Sequence, residues 1–123
     1  MKSKLSPHVL IYSFPITAIS SILNRATGLG CTAMYVGGGT SILFDIQLKK
    51  YYDSLNRVSK MTLHYCTLFP PVYHTYGGLR HLFWDANPKW LTNTRVAKSS
   101  YLLLGTSIFT TIIIEKQLYN LTL

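Results

Sequence analysis

Three long stretches without acidic residues and almost without basic ones constrain this chain more than any other feature. Residues 26–44, 61–79 and 96–114 are each 19 residues long, and Lys98 is the one charged residue among them. Because an α-helix rises 1.5 Å per residue, about 20 residues cross the ~30 Å hydrocarbon core of a bilayer. The pattern therefore predicts an all-α membrane protein with three transmembrane helices in a bundle.

The predicted organisation is a single membrane-anchor domain over residues 1–123. Its parts are an N-terminal arm and three spans, at residues 1–15 and at about residues 18–44, 58–84 and 96–118. Aromatic side chains flank the spans, as they do at membrane interfaces. The alternative is a soluble bundle with unusually apolar helices, which the third stretch in particular argues against.

Composition limits the function classes. The chain carries 12 Lys+Arg against 4 Asp+Glu, but only 13% of its residues are charged and 48% are hydrophobic. A soluble nucleic-acid protein clusters many basic residues on one face, whereas these few cations lie between apolar stretches. We therefore expect the lipid bilayer as a partner and no nucleic acid, with detergent-free extraction as the test of that rival.

Two further features give weaker expectations. Cys31 and Cys66 show no metal-ligand spacing and are expected to be buried free thiols. The glycine run at 37–39 is expected to serve helix packing in lipid. No signal peptide or Arg-rich transit peptide is apparent, so we expect synthesis in the working compartment or an uncleaved import signal.

Ionisable side chains inside the predicted spans are the candidate functional groups, because such residues are costly at membrane depth. His74 and His81 are seven residues apart, ~10 Å along a helix axis, which is too far for two ligands of one iron. If His74 binds haem iron, another helix supplies the sixth ligand or the iron is five-coordinate. The first and third spans lack histidine from Ser20 onward, so a partner chain would supply that ligand. The alternative for His74 is a packing or polar-network role.

Neighbouring residues suit a bound macrocycle. Gly77 and Gly78 follow His74 by about one turn and leave room for a flat ring. Pro70 and Pro71 free backbone carbonyls and can bend the helix just before it.

Arginines in the spans suggest anionic or carbonyl ligands. Arg25 and Arg80 could hold haem propionates through bidentate hydrogen bonds. Ser21 lies four residues before Arg25 on the same helix face, which suits the carbonyl oxygen of a quinone. The alternative is a capping serine beside a snorkelling arginine.

Three motifs carry a family resemblance. "SPHVLIY" (6–12), "FPITAISSILNRATG" (14–28) and "HTYGGLRHLFWD" (74–85) resemble the signature blocks of the cytochrome b large anchor subunit of succinate dehydrogenase, respiratory complex II. The resemblance implies that His74 is the axial haem ligand. It implies a ubiquinone site at Ser21, Ile22, Arg25 and Asp85, and haem surroundings at Asn24, Arg25, Gly78, Arg80 and His81.

The resemblance also implies the activity and its setting. Electrons from succinate would reach ubiquinone through haem b and the quinone site, with no catalysis by this chain alone. The implied partners are a second small membrane-anchor subunit that shares the bundle and the haem, an iron–sulfur subunit and a flavoprotein subunit. The implied location is the mitochondrial inner membrane, as a multi-pass protein with its N-terminus facing the matrix, and the gene could lie in the mitochondrion.

Two positions depart from the family pattern. Asn24 stands where the family usually has histidine, and Gly77 stands where relatives often have asparagine. Asparagine can donate a hydrogen bond to a propionate but cannot carry a positive charge. Two alternatives therefore stay open, a haem-less structural anchor of the same complex and the anchor of a fumarate reductase.

Overall fold

The chain is built from helices alone over the part that the computed structural model describes, residues 14–121. The elements are α1 (Ile16–Leu43), α2 (Leu48–Asp53), α3 (Arg57–Ala86), a 3₁₀ turn (Pro88–Trp90) and α4 (Asn93–Leu121). The all-α prediction is confirmed. Most of the predicted N-terminal arm, with the motif at 6–12, lies outside the described residues.

The three long helices include nearly all of the predicted spans, and local sequence explains where they stop. α1 ends in a Schellman motif, in which the Asp45 N–H donates to Ile42 O and the Ile46 N–H to Ser41 O, at 3.3 and 2.8 Å. Asp45 takes the left-handed conformation that this motif requires, with φ of 51°. α3 begins at an asparagine cap, since Asn56 Oδ1 accepts from Ser59 N–H at 2.8 Å.

α3 is the central helix and contacts both α1 and α4. Along α1, Ser20 meets Tyr73 near one end and Gly30 meets Pro70 further along, so the two helices run antiparallel. Helix α3 continues through Pro70 and Pro71 without a break. The start of α1, the end of α3 and the start of α4 therefore lie at one end of the bundle.

The interior is composed of small hydroxyl side chains, and the exterior is apolar. Among the described residues, the buried hydrophobic residues are Tyr73 and Leu103. The buried polar residues there are more numerous and are Ser20, Thr27, Ser41, Ser100, Ser107, Thr111 and Glu115. Several of these hydroxyls donate to the carbonyl four residues earlier, as Ser107 does to Leu103 O at 2.7 Å. Small residues inside and large apolar residues outside are typical of helices that pack in lipid.

By length and composition, one helix in the described residues is long and apolar enough to cross a membrane, Asn93–Asn120 in α4. Only 22% of its most apolar window is buried, unlike the core helix of a soluble protein. α1 and α3 are long enough, but neither meets the same limits on hydropathy and charge. For these two helices, membrane crossing stays a prediction.

Two secondary expectations are wrong for the chain on its own. Both cysteines are free, but Cys31 is only partly buried and Cys66 is exposed, because their helix faces point away from the interior. Nothing lies within 4 Å of a Cβ built at positions 37–39, so these glycines pack against no other described part of this chain.

Candidate functional site

His74 is held by one ring nitrogen and exposed at the other. Its Nδ1 lies 3.0 Å from the backbone oxygen of Asn24 on α1. A carbonyl oxygen only accepts, so Nδ1 must carry the proton and Nε2 must keep its lone pair. Nε2 has no partner among residues 14–121, and the side chain lies on an exposed face. Metal-ligating histidines usually donate their second ring N–H in this way, which fixes the tautomer and the ring orientation.

Glycines let α1 and α3 approach closely enough for that bond. A Cβ built at Gly28 would lie 2.9 Å from His74 Cε1, a distance that real Cβ atoms essentially never show. A Cβ built at Gly77 would collide with the Asn24 side chain. Gly28 therefore makes room for the imidazole, and Gly77 makes room for the asparagine.

Asn24 has an unusual environment. Its Oδ1 is buried and has no hydrogen-bond partner among the described residues. Such orphaned oxygens are uncommon in folded proteins. The sequence predicts that Gly77 leaves space for a macrocycle, whereas the structure fills that space with the Asn24 side chain.

Arg80 joins the three long helices. Its Nη1 donates to Ser100 Oγ on α4 at 3.0 Å, and its Nη2 donates to Ser20 Oγ on α1 at 3.3 Å. The guanidinium also lies 4.6 Å from the centre of the Trp84 ring. Ser20 in turn lies 3.1 Å from the Tyr73 hydroxyl. We call Ser20, Tyr73, Arg80 and Ser100 the arginine clasp. The contact between Arg80 and a haem propionate stays a prediction. Within the chain, both terminal nitrogens of Arg80 already donate to serine hydroxyls.

The predicted quinone residues of α1 lie on the surface of the isolated chain. Ser21 and Arg25 are exposed, and neither bonds to another described side chain. They directly follow Ser20 and Asn24, which face α3, so they lie at the edge of the α1–α3 contact. Ile22 is 54% exposed and points further away.

The remaining predicted residues lie toward the end of α3 and make fewer contacts with other parts of the chain. His81 is exposed and meets the Trp84 ring edge to face at 5.7 Å. Asp85 is exposed, and nothing lies within 4 Å of a Cβ built at Gly78. The chain alone thus brings His74, Asn24 and Arg80 into contacts between helices, whereas His81 contacts only the Trp84 ring of its own helix.

A second polar cluster lies at the opposite end of the bundle. His64 Nδ1 lies 3.0 Å from both carboxylate oxygens of Glu115, and its Nε2 lies 2.8 Å from the Tyr52 hydroxyl. Glu115 is buried, and the Tyr52 ring stacks on the imidazole. This cluster ties α2, α3 and α4 together.

Sequence reasoning missed several partners in these networks. Ser20, Tyr73, Ser100 and Gly28 carry no motif by themselves, and their contacts come from other helices. The one available signal is position, because Gly28 falls four residues after Asn24 and therefore shares its helix face.

The donor set fits an axial haem ligand better than a bare metal ion. Residues 14–121 contain no group of three or more His, Cys, Asp and Glu side chains that could hold a metal. A single imidazole with a fixed tautomer and an exposed Nε2 would suit a haem iron, because the porphyrin supplies most of the ligands of that metal.

The chain is similar to membrane subunits of one family. The family model described as succinate dehydrogenase/fumarate reductase transmembrane subunit matches residues 1–114. The succinate dehydrogenase cytochrome b560 subunit of Reclinomonas americana is 33% identical over 119 residues, covering 89% of this chain and 81% of that protein. The cytochrome b556 subunit of Paracoccus denitrificans is 32% identical over 108 residues, covering 85% and 82%.

Other relatives are longer than the matched region. The mitochondrial cytochrome b560 subunit of Dictyostelium discoideum is 32% identical over 109 residues, which cover 81% of this chain and 54% of that protein. The chain thus spans about half the length of this relative.

Proposed function

We propose a function on the premise that this chain belongs to the family of transmembrane subunits of succinate dehydrogenase and fumarate reductase. The chain anchors a succinate:ubiquinone oxidoreductase in the mitochondrial inner membrane as three transmembrane helices. It binds haem b through His74 and contributes to the site where ubiquinone is reduced.

The observation that carries the haem assignment is the hydrogen bond from His74 Nδ1 to Asn24 O at 3.0 Å. It leaves Nε2 as a lone-pair donor on an exposed surface, where a partner subunit can cover it. Haem b would supply one-electron transfer there. The names of the Reclinomonas and Paracoccus relatives, cytochrome b560 and b556, support the same cofactor.

Partner subunits complete the proposed site. Within residues 14–121, His74 is the one histidine that we assign to the haem iron, so a second anchor subunit would supply the other protein ligand. An iron–sulfur subunit and a flavoprotein subunit deliver electrons from succinate. The exposure of Ser21, Arg25 and Asp85 supports this arrangement, because residues of a shared site lie bare when one subunit is seen alone.

The quinone role is assigned to one face of α1. The Ser21 hydroxyl donates a hydrogen bond to a carbonyl oxygen of ubiquinone, and Arg25 keeps that end of the pocket positively charged. Ile22 contributes an apolar surface, and Asp85 lies beyond Arg80 toward the same end of the bundle. None of these residues performs the oxidation of succinate.

A spectrum of the native complex separates the cytochrome from a haem-less anchor. A b-type absorption band in the succinate-reduced minus oxidised spectrum is expected. Quinone reduction without such a band would instead favour the haem-less anchor, for which Asn24 in place of histidine is the supporting feature. A Ser21→Ala complex with unchanged quinone reductase activity would remove Ser21 from the quinone site.

A further inference from the structure

An apolar groove lies between α3 and α4, away from the haem ligand and the quinone residues. Its cavity has a volume of 600 Å³ and is lined mainly by Tyr65, Phe69, Pro70, Ile108 and Ile112. That volume lies within the ~300–1,000 Å³ range of small-molecule sites. We call it the α3–α4 groove.

The groove continues into a charged cavity. Tyr65 and Ile112 also line a second space of 180 Å³, whose other lining residues include Arg57 and Lys116. α3 begins at Arg57, and α4 ends five residues beyond Lys116, so both cations lie at the same end of the bundle. The groove is thus apolar along most of its length and positively charged at the end that Arg57 and Lys116 line.

The two cations are not neutralised within the described part of the chain. Among the described residues, His64 is the one basic side chain within 4 Å of a carboxylate, that of Glu115, so no described carboxylate lies within ion-pair distance of Arg57 or Lys116. The Arg57 guanidinium lies 5.8 Å from the centre of the Tyr119 ring. This cation–π contact does not neutralise the charge of the guanidinium. Glu115 also borders the charged cavity, but both of its oxygens face His64.

The dimensions match one leaflet of a bilayer. Phe69 is twelve residues after Arg57, ~18 Å along the helix axis. Half of a bilayer core is ~15 Å thick. Arginine and lysine make charge-assisted hydrogen bonds to phosphate oxygens. A head group with a net negative charge gains more from two such cations than phosphatidylcholine does, because the phosphate of phosphatidylcholine is already balanced by its own ammonium group.

We infer that the α3–α4 groove binds an anionic phospholipid, with the phosphate between Arg57 and Lys116 and an acyl chain along Tyr65, Phe69 and Ile112. The inference rests on the transmembrane character of the proposed function and is independent of haem and quinone. It gives this chain a lipid site at the end of the bundle opposite the arginine clasp.

Photolabelling of the assembled complex tests the inference. The complex is placed in phosphatidylcholine nanodiscs that contain a small fraction of phosphatidylglycerol with a photoactivatable acyl chain. Labelled peptides are then mapped for the wild type and for the double variant Arg57→Gln/Lys116→Gln. The matched control is Lys49→Gln/Lys50→Gln, which removes two charges from α2 at the same end.

Label is expected on the groove segments of α3 and α4. Each cation removed from the groove should weaken labelling about 5-fold, and both about 25-fold, with no such loss in the control. A phosphatidylcholine probe should label the groove far less. Equal labelling by the two probes, or unchanged labelling of the double variant, would overturn the inference.

The alternative occupant of the α3–α4 groove is a partner subunit, and the same samples distinguish the two occupants. Unlabelled groove peptides that instead cross-link to a partner subunit would show that protein covers the groove, and the lipid assignment would fall. The haem band and the subunit composition are recorded on each sample. Loss of these signals in the wild type would count against the proposed function and not against the lipid site.

Discussion

Two histidines ten residues apart on α3 have opposite environments. His64 uses both ring nitrogens inside the chain, Nδ1 toward the buried Glu115 carboxylate at 3.0 Å and Nε2 toward Tyr52 at 2.8 Å. His74 uses only Nδ1, toward the backbone oxygen of Asn24 at 3.0 Å. The first histidine links three helices through both ring nitrogens, whereas Nε2 of the second has no partner among the described residues.

The neighbours of each ring produce this difference. Side chains from α2 and α4 surround His64 and satisfy it. α1 presents a glycine and a backbone carbonyl to His74, so the position of that ring is fixed while only one of its nitrogens is hydrogen-bonded. The number of ring nitrogens that neighbouring helices engage therefore distinguishes the two histidines of α3.

The largest effect is expected at the arginine clasp, on the His74 end of the bundle. Arg80→Leu removes two hydrogen bonds from a charged donor, each worth about 1.5 kcal/mol, so the free energy of unfolding should fall by about 3 kcal/mol. Because the clasp links α1 to α3, the haem band should weaken as well. Thermal unfolding of the detergent-purified complex measures the first effect. Arg80→Lys keeps the cation and should lose less, while an unchanged melting temperature in Arg80→Leu would contradict this account of the clasp.

A smaller effect is expected at the opposite end. Glu115→Leu leaves His64 Nδ1 without its acceptor and should cost about 2 kcal/mol of unfolding free energy, with no loss of the haem band. Glu115→Gln keeps an acceptor oxygen and should cost less. If Glu115→Leu abolished the band while the complex stayed assembled, the separation of the two ends would be wrong.

The third prediction sharpens the comparison at His74 itself. Gly28→Ala places a methyl group against the imidazole, and overpacking of that kind costs ~1–3 kcal/mol, so haem retention should fall roughly tenfold. The matched control is Gly30→Ala, whose new Cβ would lie 3.6 Å from Pro70 in ordinary contact. Haem content per assembled complex is the measurement, and equal retention in the two variants would show that Gly28 does not position the ring.

The helices could be predicted from the sequence, but most of their contacts could not. Runs of 19 residues almost free of charge predict α1, α3 and α4 because the backbone in lipid must satisfy its own hydrogen bonds. The partners of Arg80 depend on the register between three helices, which no local pattern encodes. Asn24 illustrates the limit, since its departure from the family pattern is visible in the sequence but its contact with Gly77 is not.

The most direct test of the account compares the two histidines in one assay. Complexes with His74→Ala and His64→Gln are purified, and the succinate-reduced minus oxidised spectrum is recorded per mole of assembled complex. The account predicts that His74→Ala loses the b-type band and that His64→Gln keeps it with lower thermal stability. A band that persists in His74→Ala, or that disappears equally from both variants, would contradict the assignment of His74 as the haem ligand.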